Sequence, residues 1–127
     1  MRKALTTAAI VFALLIVSIP ALAHHGNAEF DIGKRVTVKG TVTKWSWSNP
    51  HCFLTFDAKA ESGSLVHWVV ETQPPRSITA GGFSQFTFKP GDEVTVTLEP
   101  VKNGQPLGRM LEVVLPSGKK MVTGHID

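Results

Sequence analysis

The chain has almost no thiol chemistry: Cys52 is its one cysteine in 127 residues. A lone cysteine excludes an internal disulfide scaffold and a two-cysteine redox motif. Charge of one sign is never concentrated, because no block of five or six like charges occurs. A surface for polyanions needs such a stripe to neutralise phosphates, so nucleic acid is excluded as a partner. Long apolar runs are missing too. The longest, from Ala8 to Ile19, holds about a dozen residues, against the roughly 20 that a spanning helix requires. There is no G-x-S-x-G, no H-E-x-x-H, no phosphate-cradling loop and no evident carboxylate pair. His51 and Cys52 are adjacent, but neighbouring strand residues face opposite sides, so they do not form a base and nucleophile. The domain is therefore expected to be no enzyme. Internal repeats and low-complexity tracts are also absent.

What the chain does have begins with a leader. Arg2 and Lys3 precede the apolar run, Pro20 interrupts it, and Ala21-Leu22-Ala23 has the small residues that signal peptidase reads. Residues 1–23 are expected to be a cleaved signal peptide, and the product periplasmic or secreted, without stable membrane insertion. The whole chain has 13 Lys and Arg against 10 Asp and Glu. Loss of Arg2 and Lys3 leaves 11 against 10, a formal charge of +1. An N-terminal segment, 24–34, then leads into a β domain, 35–127.

That domain reads as strands punctuated by Gly, Pro and Asn. Val36 to Thr43 alternates apolar and polar with period two, as a half-buried strand does. Gly40 falls at an inward position, which suggests the bulge or bend that small barrels need. Cys52 to Asp57 is a second strand with Cys52, Leu54 and Phe56 on its core face. Glu61-Ser62-Gly63-Ser64 turns into a third, Val66 to Glu71. Gln73-Pro74-Pro75-Arg76 cannot continue a central strand. Ser77 sits where an N-cap would, before a short helix ended by Gly81-Gly82. Lys89-Pro90-Gly91-Asp92 has the pattern of a type II turn. Glu93 to Leu98 alternates again, Asn103-Gly104 signals a hairpin, and Gly108 to Leu115 is the next strand. Ser117-Gly118 turns into a short tail strand. This order predicts an all-β fold: a small five-stranded OB-like Greek-key barrel with one short helical link. A small β-sandwich is the alternative.

Cleavage after Ala23 makes His24 the first residue, followed by His25. A terminal amine and its own imidazole form a chelate ring, and Cu(II) favours such nitrogen ligands in a square plane. The plainer reading is a solvated chain start. His51, after Trp45-Ser46-Trp47-Ser48-Asn49-Pro50, is the candidate third ligand, with a turn-shaping hydrogen bond as its alternative role. Strand alternation places His51, Phe53 and Thr55 opposite Cys52, and His67 outward with Val69 and Glu71. Trp45, Trp47 and Trp68 are candidate stacking residues, or else covers for the barrel ends. Met110 and Met121 are expected to pack rather than to hold Cu(I). His125 lies in the tail.

The sequence resembles the DUF6152-type exported bacterial proteins, whose function is uncharacterised. The resemblance is carried by His24-His25-Gly26, Phe30-Asp31, Gly40-Thr41-Val42, Trp47-Ser48-Asn49-Pro50-His51, Trp68, Gly81-Gly82-Phe83 and Lys89-Pro90-Gly91-Asp92. It departs at Phe83, where that family tends to have tryptophan, and at Ser117, where aspartate is usual. The resemblance implies a periplasmic barrel-like domain and places His24, His25 and His51 among the motif positions. Two functions follow as expectations. One is copper binding through His24, His25 and His51. The other is a non-catalytic module of the cell envelope that binds a protein or small ligand through Trp45, Trp47, Phe53 and His67.

Overall fold

A computed structural model describes residues 29–124, so the leader, His24, His25 and His125 lie outside the described residues. Six strands form in chain order: β1 (Val36–Ser46), β2 (Phe53–Lys59), β3 (Leu65–Glu71), β4 (Glu93–Pro100), β5 (Leu107–Val114) and β6 (Lys120–Val122). A single helical turn, α1 (Pro75–Ile78), and a 3₁₀ turn, Thr79–Gly81, link β3 to β4.

β1 is long enough to serve two neighbours. Val36–Thr41 pairs with β4, and Thr41–Ser46 pairs with β2, both antiparallel. The strand bends where it changes partner, and Gly40 permits this. A Cβ there would lie 2.4 Å from the Asp57 carbonyl oxygen and 2.7 Å from the Phe56 ring. β2 and β3 form a hairpin, and the first residues of β5 run parallel to the end of β3. The ring β1-β2-β3-β5-β4-β1 thus closes into the expected five-stranded Greek-key barrel rather than a sandwich. β6 is an extra strand on β5.

The interior takes Val42, Leu54, Phe56, Val70, Val96, Leu98 and Val113, while Ile78, Phe83 and Phe88 from the link close one end. Cys52 is fully buried, as its strand pattern predicts, and Met110 and Met121 are both buried. The helix corrects one expectation: Ser77 is inside α1, and Pro74 occupies the N-cap position. A proline ring already holds the φ that a first helical turn needs, so Pro75 starts the helix before Ser77 can cap it. The 3₁₀ turn that continues it ends at Gly82, with φ of 89°, where Gly81-Gly82 was expected to stop the helix. Asn103-Gly104 does lie between paired strands, but in a longer loop in which Asn103 Oδ1 accepts the Gln105 N–H at 3.0 Å. Within the N-terminal segment, the described residues 29–34 lie against the barrel. Phe30 bridges to Val101, is 2% exposed, and covers β4 and β5 from outside.

Candidate functional site

The loop from β1 to β2 sets the orientation of His51. The Ser48 hydroxyl donates to the His51 carbonyl at 2.9 Å, and Thr72 N–H donates to the Cys52 carbonyl at 2.9 Å. Those bonds draw the end of β3 against the start of β2. There His51 Nδ1 lies 2.8 Å from the Thr72 carbonyl oxygen. A carbonyl only accepts, so Nδ1 carries the hydrogen, and Nε2 of the neutral ring keeps its lone pair. The half-buried ring meets Phe53 edge-on, with centroids 6.4 Å apart. A histidine held this way is prepared to donate through Nε2 to an electrophile.

His67 shows the same logic in a more open place. It faces Asp57 across the hairpin, Nδ1 lies 2.5 Å from Asp57 Oδ1, and its side chain is 72% exposed. The carboxylate accepts from Nδ1, leaving Nε2 toward solvent. His51 and His67 are not brought together. They sit about six residues apart along the same face, roughly 20 Å at strand rise, and cannot share one ion. Among the described residues, no group of three or more His, Cys, Asp and Glu side chains could hold a metal.

Between the two histidines the outer face carries Phe53, Thr55 and Val69. It then meets a charged row in which Glu99 faces Arg109 and Arg109 faces Glu71. Arg109 Nε donates to Glu99 Oε2 at 2.8 Å, with the side chains 15% and 7% exposed. The Phe30 ring lies 5.5 Å from the guanidinium carbon and shields the pair.

Trp45 and Trp47 sit elsewhere. Trp45 is opposite Leu54 in the register and so belongs to the inner side, away from Phe53, His67 and Val69. It packs edge-on to Phe88 at 4.9 Å, lies 5.9 Å from Trp47, and donates its indole N–H to the Ser84 carbonyl at 2.9 Å. These two tryptophans cap a barrel end. Trp68 stacks on Phe56 with rings 9° from parallel. The four residues expected to form one ligand surface therefore divide between that end and the outer face.

Thr72, Asp57 and the Glu99–Arg109 pair were not singled out from the sequence. Asp57 was within reach, since counting outward from a Ser64-closed turn pairs it with His67. Thr72 and Glu99 gave no local signal.

No curated protein and no solved structure matches the chain. Residues 11–110 match a family of unknown function, DUF6152. That match spans most of the sequence, including β1 to β4 and the loop that carries His51. The chain belongs to the DUF6152 family.

Proposed function

We propose that this protein is a small exported domain that binds a transition-metal ion, copper above others, with nitrogen ligands. The amine and imidazole of His24 and the imidazole of His25 begin the set, and Nε2 of His51 adds a ligand from the barrel. One observation carries the reading: His51 Nδ1 is committed to the Thr72 carbonyl, which leaves Nε2 as a donor. Metal-ligating histidines are commonly oriented by this kind of bond from the other ring nitrogen.

His24 lies six positions before Phe30, a tether that spans about 20 Å when extended.

Mass spectrometry of the chain as the cell processes it should give His24 as the first residue. Cu(II) titration followed by electron paramagnetic resonance should then show nitrogen ligation. One alanine placed before His24 should weaken binding and remove the amine from the ligand set, and His51→Ala should lower the affinity. A different first residue, or no uptake of Cu(II), would end this reading.

A second reading rests on Phe53 and Val69, two half-buried apolar side chains on the outer face beside the His51 ring. They suit a non-catalytic contact with an envelope protein or a small ligand. Chemical-shift changes confined to Phe53 and Val69 on adding envelope extract, but not Cu(II), would favour it over metal binding.

A further inference from the structure

β1 and β2 separate at one place in the barrel wall. Their pairing ends at Thr41 and Asp57, yet β1 begins at Val36 and β2 continues to Lys59. Val36–Gly40 therefore has a partner strand on one side only, β4, while Ala58 and Lys59 pair with β3 alone. Gly40 lies against the Asp57 carbonyl where the two strands part. Alternate residues of an antiparallel strand turn both N–H and C=O to the same side, so each strand leaves some backbone unpaired along the opening. Among the described residues, no turn or loop supplies backbone bonds to these positions.

The opening has two differently lined sides. Inward, Val38, Ala58, Val66 and Trp68 line an apolar groove of about 290 Å³, with Glu61 at its hairpin rim. Val38, Val66 and Trp68 are each half-buried, so the core does not fill it. Outward, Lys39, Lys59 and Leu65 border a second groove of about 460 Å³. Leu65 is 57% exposed there. The acids of this side are turned to other groups, Asp57 to His67 at 2.5 Å and Glu93 to the Thr41 hydroxyl at 2.9 Å. Lys39 and Lys59 are exposed and have no ion pair among the described residues.

A free strand edge, an apolar groove on one face and unpaired cations on the other together specify an extended polypeptide. Its backbone matches the spacing of the unpaired N–H and C=O groups, and its side chains alternate between the two faces. We infer that this opening takes an extended segment of a partner protein by strand addition along Val36–Lys39. The inward side chains of that segment are apolar and the outward ones acidic. A small apolar ligand would fill the inner groove but leave the strand edge and both lysines without a partner.

The test uses the metal-free chain as the cell processes it and a short, end-blocked peptide of alternating valine and glutamate. Nuclear magnetic resonance should show shifts along Val36–Lys39 and at the Trp68 indole, with slower amide exchange in β1. His51 and Phe53 should not respond. A valine–lysine peptide should bind more weakly. The double change Lys39→Glu, Lys59→Glu should reverse that order, altering each affinity roughly three- to tenfold. Both side chains are exposed, so circular dichroism should be unchanged. N-methyl groups on every second peptide amide separate backbone pairing from side-chain contact: one of the two alternations should abolish binding and the other spare it. The inference is overturned if neither peptide binds, or if both methylated forms bind as the parent does. A concentration-dependent dimer that protects the same amides would overturn it too, by making a second copy of the chain the occupant. Copper is absent throughout, so the result is independent of the metal-binding proposal.

Discussion

At the scale of single residues, Arg109 is the clearest case of a side chain whose neighbours decide its effect. Its guanidinium and the Glu99 carboxylate are both removed from water and compensate each other. Removing one partner of such a pair strands the other charge. Arg109→Ala should therefore cost roughly 3–5 kcal/mol in urea unfolding, whereas the double change Glu99→Met, Arg109→Leu should lie much closer to wild type. Equal losses in the two variants would show that packing, not the stranded charge, sets the cost. Strand alternation placed His51, His67 and Phe53 opposite the core side chains Cys52 and Leu54, but could not say what each ring nitrogen would touch. His51 meets Thr72, 21 positions away, and no local pattern encodes that. Cys52 was easier, since period two put it with Leu54 and Phe56, and all three are fully buried.

Among the elements, β1 does the most to shape the barrel because one strand pairs on both sides of a bend. The bend depends on β2 passing close over Gly40. Gly40→Ala puts a methyl group against the Asp57 backbone, which cannot yield as a flexible side chain could. A loss of about 1–3 kcal/mol is expected, read as a lower urea midpoint with little change in slope. Gly104→Ala is the control for glycine chemistry without crowding: φ is 80° there, but nothing lies within 4 Å. Its loss should come from backbone strain alone and be the smaller of the two. Strand limits were readable to within two residues except at the end of β1, which runs three residues past Thr43 to Ser46, since alternation and turn residues are local. The helix start was not, because Ser77 and Pro75 are both good candidates locally, and the second proline of Pro74-Pro75 decided between them.

For the molecule as a whole, a closed barrel with one continuous core should unfold as a unit. Tryptophan fluorescence samples Trp45 and Trp47 at one end and Trp68 on β3, while far-ultraviolet circular dichroism follows all strands. The two transitions should coincide, and a chelator should leave both unchanged, because no described side-chain cluster makes the fold depend on a metal. Added Cu(II) should raise the midpoint by mass action if the N-terminal chelate forms. Separate transitions would mean that the β2–β3 hairpin and the β4–β5–β6 part are independent. The sequence by itself determined the period-two strands, the glycine at the bend and the turn residues, because each acts within a few residues of chain, while the parallel pairing of β3 with β5 decided the closed barrel over the sandwich. Only the tertiary structure decided which nitrogen of His51 stays free, that Asp57 holds His67, and that Glu99 and Arg109 pair beneath Phe30. Each of these needs residues from separate strands or loops to meet, and their meeting follows from how the barrel closes rather than from any local pattern.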